Sequence, residues 1–253
     1  MKIVLRGYIS GPIGDNVRGK LSFNRNDHTG YARNLTNGQD LDNAHNFSLR
    51  AQAVIDFSDR TSATLSADVS RDRTNGDCRS TANMDRADQP SNGAFVAQYL
   101  PLMRPDITGP RVCTQAWTQF ANRDDSGFGL RVTHDTGWSQ LTSISSYRKN
   151  EFQWRQELAG MNLPPAPLSV PDDEGQKSWQ ASQEFRLTGS TERIHWVVGA
   201  FGFKEHVDRL ANVPNLRIPP IASTYRIWKQ NADSTSVAAF GQGTWEFAKG
   251  LSL

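Results

Sequence analysis

Two cysteines, five histidines and a few clustered carboxylates are the side chains in this 253-residue chain that could act on a substrate or a metal. The histidines, His28, His45, His134, His195 and His206, show no metal-ligand spacing, so each reads as a strand or loop residue in contact with water. No Gly-x-Ser-x-Gly nucleophile elbow and no phosphate-binding loop occur. Asp124 with Asp125, and the run Asp172, Asp173, Glu174, could serve calcium from a loop. A hard cation needs several converging oxygens, however, and a solvated loop is the plainer reading. Cys78 and Cys113 lack a Cys-x-x-Cys spacing and have no histidine close in sequence, which argues against zinc. They are either two thiols or, in an oxidising compartment, a disulfide worth at most about 3 to 4 kcal/mol through loop closure. No catalytic residue, metal or cofactor is expected from these groups.

Composition narrows the class. Lys and Arg number 28 against 26 Asp and Glu, a formal charge of +2, and the basic residues are scattered rather than striped, so nucleic acid is not an expected partner. Only 37% of residues are hydrophobic, yet 7 Trp, 5 Tyr and 12 Phe are kept, a balance that suits sheets wetted on one side. No apolar run approaches the roughly 18 residues of a spanning helix. A strand barrel needs only about ten alternating residues per crossing, and its mean hydropathy stays low, as it does here at -0.59. Met1 to Pro12 carries one lysine and an apolar run too short for a secretory signal, with no cleavage site after it. The chain is therefore expected to be cytoplasmic or to lack its beginning.

The elements that must position any site are strands. From Phe47 to Phe57, Phe47, Leu49, Ala51, Ala53, Ile55 and Phe57 fall on one face while Ser48, Arg50, Gln52 and Asp56 fall on the other. After Ser58, Asp59 and Arg60, the next run sets Ala63, Leu65, Ala67 and Val69 against Ser62, Thr64, Ser66, Asp68 and Ser70, which predicts a hairpin. The same reading along the chain predicts about nine strands. They lie near Lys2 to Gly11, Val17 to Asp27, His45 to Phe57, Thr61 to Arg73, Ser126 to Thr136, Trp138 to Arg155, Ser178 to Thr188, Arg193 to Arg209, and Asp233 to Phe247. Tight turns alternate with long polar loops at His28 to Ala44, Thr74 to Asp125, Gln156 to Lys177 and Leu210 to Ala232. All prolines but Pro12 fall in those loops, as expected of a residue that cannot donate to a ladder. Short turns at one edge and long excursions at the other predict an all-β, antiparallel transmembrane barrel wall.

Two aromatic bands fit that wall. Phe57, Trp138, Trp196, Trp245 and Phe247 lie toward the tight turns, and Tyr147, Trp154, Trp179 and Trp228 lie toward the long loops. Both are expected to sit at headgroup level. Arg50, Arg131 and Arg186 fall on the polar faces of their strands. They are expected to face the lumen, either guiding an anionic ligand or, as the preferred reading, pairing with carboxylates of a plug.

The motifs resemble those of one family. Gly7 to Leu41, GYISGPIGDNVRGKLSFNRNDHTGYARNLTNGQDL, resembles the early barrel region of TonB-dependent outer-membrane receptors. FSDRTSATLSADVSRDR from Phe57 is similar to the family's second hairpin, and WSQLTSISSYR from Trp138 looks like its LTSITAYR strand. SQEFRL from Ser182, the strand Trp196 to Glu205, and SVAAFGQGTWEFAKGLSL from Ser236 follow in the family's order. The resemblance implies a barrel of about 22 strands holding a plug, which imports scarce ligands such as ferric siderophores with energy from TonB. Residues 1–253 would then be a partial barrel domain of about nine strands, without the plug, the TonB contact or the C-terminal strands. It would lie in the outer membrane of a Gram-negative cell, with membrane lipid and a small iron chelate as partners and TonB reached only through the missing plug. Ligand contact is expected on the loop Thr74 to Asp125, with Tyr99, Arg104 and Trp117 as candidates. The alternatives are a soluble extracellular β-sandwich that binds carbohydrate and, more remotely, a small outer-membrane enzyme barrel such as a lipase.

Overall fold

The computed structural model describes the backbone of residues 1–79, 111–157, 171–218 and 221–253, and their side chains except at 213–218 and 221–226. It contains β1 (Lys2–Gly14), β2 (Val17–His28), β3 (Ala32–Asn34), β4 (Asp40–Leu41), β5 (Ala44–Ser58), β6 (Thr61–Thr74) and β7 (Val112–Cys113). β8 (Phe120–Asp135), β9 (Ser139–Glu157), β10 (Pro171–Ser190), β11 (Ile194–Ile218), β12 (Ile221–Ala248) and β13 (Leu251–Ser252) follow. One antiparallel sheet runs in the order β1-β2-β5-β6-β8-β9-β10-β11-β12-β13, and it is not closed. A second, three-stranded sheet has the order β4-β3-β7. The nine long strands match the alternation read from the sequence.

Cross-strand register carries each face unbroken across the sheet, because residues directly opposite one another point the same way. Leu21, Ala51, Ala67, Phe128, Tyr147 and Ala181 share one level of the apolar face. One residue along, Lys20, Gln52, Ser66, Gly129, Ser146 and Ser182 share a level of the polar face. The apolar face is bare: Ile9 is 73% exposed, Phe185 53% and Phe128 48%. In the described residues no second sheet covers it, so the stacked sheets of a soluble sandwich are not what this chain forms. Among the described residues buried hydrophobic side chains are few, and the cluster they form, Ala32, Leu41 and Cys113, lies in the small sheet.

Three expectations are corrected. The stretch from Leu210 to Ala232 is not a long loop, because β11 and β12 stay paired up to Ile218 opposite Ile221. Pro214 is accommodated where the register shifts between Val213 and Leu216, the sort of irregularity at which a residue without an N–H is tolerated. Trp154 and Trp228 do not join the upper aromatic band, since their register partners Glu174 and Ala211 place them on the polar face. Tyr147 and Trp179 do face the apolar side. Lastly, the polar face is not polar throughout: Phe201, Phe203 and Phe240 lie on it, and the Phe240 ring crosses Gly199, where an added Cβ would meet it at 2.3 Å.

Arg50 and Arg186 pair within the wall. Arg50, Asp68, Gly127 and Arg148 occupy one level of the polar face on four neighbouring strands. Arg148 reaches across Gly127 to donate to both Asp68 oxygens, at 2.9 and 3.3 Å, while Arg50 approaches Asp68 from the other side at 3.6 Å. Arg186 pairs with Glu184 on its own strand. Two of the three arginines assigned to plug carboxylates are thus matched by carboxylates of the sheet itself. A Cβ at Gly127 would stand 2.8 Å from the Arg148 guanidinium, so Gly127→Leu is expected to dislodge it. The loss should be about 0.2–1 kcal/mol, the worth of a solvent-screened pair. In an Arg148→Ala background the same substitution should cost nothing; equal cost in both backgrounds, read from denaturant midpoints, would refute the arrangement.

Candidate functional site: the loop platform

The edge of the sheet that carries the tight turns offers little to bind. Asp135 donates backbone N–H to the Arg60 carbonyl at 2.8 Å, and Gly137 turns the chain at a φ of 94°, a conformation that favours glycine. The opposite edge is elaborated. There, residues 29–43 fold onto residues 74–79 and 111–119 rather than standing apart from them. β3 pairs antiparallel with β4, with Ala32 opposite Leu41, and parallel with β7, with Arg33 opposite Val112 and Asn34 opposite Cys113. Leu41 is fully buried between Ala32 and Cys113. Cys78 and Cys113 are joined in a disulfide across 35 residues, with their Cα atoms 5.7 Å apart.

Side-chain amides complete this small sheet. Asn34 donates through Nδ2 to the Gln115 carbonyl at 2.8 Å, and its Oδ1 accepts from the N–H of Gln115 at 3.0 Å and of Thr36 at 3.1 Å. Gln39 does the same for Gln119, giving Nε2 to its carbonyl at 2.7 Å and accepting its N–H at 3.0 Å. Each amide imitates a peptide group and satisfies backbone that would otherwise be buried without partners. Asn75 ties the two loops again, through the Asn43 side chain at 2.6 Å and the Asp40 carbonyl at 2.7 Å. Asp42 holds a φ of 57° beside them, and burial pushes its carboxyl above the ordinary range, against the opposing pull of a hydrogen bond from the Cys78 backbone. No signal in strand periodicity foretells β3, β4 or β7, because strands of two or three residues are shorter than the alternation needed to see them.

The platform presents an aromatic and cationic surface. Tyr31, 60% exposed, stacks on His28 with ring centroids 6.2 Å apart, and the Arg111 guanidinium lies 6.0 Å from the Tyr31 ring centre. Sequence analysis gave these three residues no shared role, since Arg111 lies far along the chain from His28 and Tyr31. Of the expected contacts, Trp117 is half-buried within the platform, whereas Tyr99 and Arg104 lie outside the described residues.

The carboxylates proposed for calcium are separated by the strand period. Asp124 lies on the apolar face with Arg71 at 3.4 Å and Arg73 at 2.6 Å, and Asp125 lies on the polar face with Asn150 at 2.7 Å. Asp173 meets Arg155 at 2.5 Å on one face, while Glu174 meets Arg209 at 2.6 Å on the other. Consecutive residues that point to opposite sides cannot converge on one cation, and although Asp172 shares the face of Glu174, that leaves two carboxylates with Arg209 already between a cation and Glu174. Three histidine rings are occupied too: His45 by Asp27, His134 by Thr61, and His206 by Asp208 and Asp233.

An open antiparallel wall with one lipid-compatible face and a folded cap of loops on one rim defines the class: a segment of a large β-barrel. Solved structures agree. The chain superposes on the ferric yersiniabactin uptake receptor FyuA from Yersinia pestis with a TM-score of 0.71 at 15% identity, covering 98% of this chain and 36% of that one. The siderophore receptor PiuA from Acinetobacter baumannii gives 0.66 at 12% identity over 98% and 38% of the two chains. The ferric-catecholate import receptor Fiu from E. coli K12 gives 0.61 at 11% over 98% and 41%. No family model matches the sequence, and no curated protein does. The fold is therefore the barrel wall of such receptors, as the TonB-dependent resemblance implies, and the chain spans 36% to 41% of the length of these three.

Proposed function

We propose that this chain is a barrel-wall segment of an outer-membrane receptor that imports a scarce ligand, with an iron chelate as the leading class and TonB as the source of energy. In this reading the apolar face meets lipid, the polar face lines a hydrated lumen, and the long excursions from β2, β6 and β9 lie outside the cell. The observation that carries it is the bare apolar face: a sheet exposing Ile9, Phe128 and Phe185 to water would aggregate, whereas in a bilayer the same residues are at home. Ligand capture falls to the loop platform, where Tyr31, His28 and Arg111 suit an anionic, aromatic chelate, and to the loop that holds Tyr99 and Arg104. Neighbours that are receptors rather than enzymes support a role in transport.

Topology and binding are tested separately. With both native cysteines replaced by serine, Tyr31→Cys is expected to react with an impermeant maleimide on intact cells, and Asp59→Cys only after the outer membrane is permeabilised. Equal labelling of both on intact cells would refute the membrane reading. Radiolabelled ferric catecholate and ferric hydroxamate complexes should then be offered to the detergent-solubilised chain. Saturable binding of at least one, lost in Tyr31→Ala, is expected; failure of every complex would overturn the iron-chelate assignment while leaving the topology standing.

A further inference from the structure

An asparagine that precedes glycine can lose its side-chain amide spontaneously, because glycine has no Cβ to keep its backbone nitrogen away from the asparagine Cγ. The pair occurs three times in the chain, at Asn37-Gly38, Asn75-Gly76 and Asn92-Gly93, and the last lies outside the described residues. The first two belong to the loop platform, and the fold treats them oppositely.

Asn75 is half-buried and tied at three points. Its Nδ2 donates to the Asp40 carbonyl at 2.7 Å, its backbone N–H donates to Asn43 Oδ1 at 2.6 Å, and the Gly76 carbonyl accepts from the Asp42 N–H at 2.9 Å. Asn37, by contrast, is exposed in the turn between β3 and β4. One hydrogen bond restrains the nitrogen that must attack it, from the Gly38 N–H to the Asn34 carbonyl at 2.8 Å. Two other groups assist the attack. The Gln39 N–H donates to Asn37 Oδ1 at 3.0 Å, on the oxygen where negative charge develops as Cγ becomes tetrahedral. The Arg33 guanidinium lies over Gly38, 3.7 Å from where a Cβ would stand, and Asp40 holds it only loosely at 3.8 Å. A cation there favours loss of the proton from the Gly38 nitrogen.

We infer that Asn37 is a modification site, at which the platform ages by conversion of the amide to aspartate and isoaspartate. The Gly38 nitrogen, its proton taken by hydroxide, bonds to Asn37 Cγ. The Cγ–Nδ2 bond then breaks, and the departing nitrogen takes a proton from water and leaves as ammonia, which returns the hydroxide. A second water opens the cyclic imide, adding at Cγ to give aspartate or at the backbone carbonyl carbon to give isoaspartate. No oxidant or reductant takes part. Isoaspartate lengthens the main chain by a methylene just before Gln39, whose side chain clasps the Gln119 backbone through both its carbonyl and its N–H. That clasp holds the two loops together, so the product loosens the platform. The site depends on neither the membrane nor the ligand reading.

The test ages the full chain, folded in dodecyl maltoside micelles, at neutral pH and maps it by proteolysis in acid and mass spectrometry. Asn37 is expected to convert about thirtyfold faster than Asn75, the equivalent of roughly 2 kcal/mol for the two further hydrogen bonds that Asn75 must break. In urea, with the disulfide reduced, the two rates should converge, since both asparagines precede glycine. Arg33→Ala should slow Asn37 severalfold and leave Asn75 unchanged, while Arg33→Lys should keep most of the wild-type rate. Far-UV circular dichroism matching wild type shows that each variant retains its sheet. An isoaspartyl methyltransferase with a labelled methyl donor should mark the aged chain, and the Gln119 amide should exchange with solvent severalfold faster in it than in fresh protein. Equal rates at the two asparagines in the folded chain, an Asn37 rate indifferent to Arg33→Ala, absence of isoaspartate, or unchanged exchange at Gln119 would each overturn the assignment.

Discussion

Replacing Cys78 and Cys113 by serine is expected to loosen the loop platform by about 3 to 4 kcal/mol and to leave the wall untouched. The bridge closes a segment of 35 residues, and a loop of that length loses this much conformational entropy when it is tied. Among the described residues the core beneath it is Leu41, Ala32 and the cysteines, with amides supplying most remaining contacts. Hydrogen exchange should show the consequence locally. The amides of Asn34 and Leu35, which donate to Gln39 and Cys113, should exchange at least a hundredfold faster, as a loss of this size implies. Amides of Ala51 and Leu65, in the middle of the long strands, should not change. Unchanged protection at Asn34 and Leu35 would show that the side-chain amides alone hold the platform, and faster exchange in the strands would show that cap and wall are one cooperative unit.

The second large effect concerns the edges of the sheet. Among the described residues the outer side of β1 has no partner, and the outer side of β12 has only β13, paired at Glu246 and Ala248. Each peptide group left unpaired in hydrocarbon costs several kcal/mol, so a wall with two open sides cannot rest in a bilayer by itself. The chain reconstituted into phosphatidylcholine vesicles is therefore expected to run as edge-paired oligomers on native gels. Supplying the neighbouring strands should yield a single, protease-resistant species instead. A monomeric, protease-resistant and fully inserted chain without additional strands would contradict this account. The unpaired groups along β12 extend over most of a 28-residue strand, of which a crossing places about ten residues in hydrocarbon.

Much of the wall was legible because its chemistry repeats every two residues. Phe47 through Phe57 announces its apolar side directly, and β6 repeats the pattern with smaller residues. Legibility failed where one strand obeys two rules. Residues 210–232 carry prolines and polar groups that read as loop, yet register with β11 continues because one irregularity absorbs Pro214. Trp154 and Trp228 illustrate a related failure: their distance from the tight turns was correct, but facing depends on counting from a strand start that sequence places only approximately. The site itself was least legible. Asn34, Gln39 and Gln115 act through partners up to 81 residues away, and no local spacing records such contacts. Arginine pairing escaped for the same reason, since Asp68 meets Arg148 only after Gly127 on the intervening strand clears the path.

The level shared by Arg50, Asp68, Gly127 and Arg148 bears on how such a wall assembles. Alanines and leucines on the greasy side fit one another almost as well after any slip of two residues, the smallest slip that keeps them outward. The hydrated side is less forgiving. Slipping β6 against β8 one way sets Asp68 opposite Asp125, anion against anion, and the other way sets it opposite Gly129, with Arg148 left behind. If the polar face lines a hydrated lumen as proposed, it proofreads strand alignment to which a lipid-facing side is blind, and errors of registration are rejected from within.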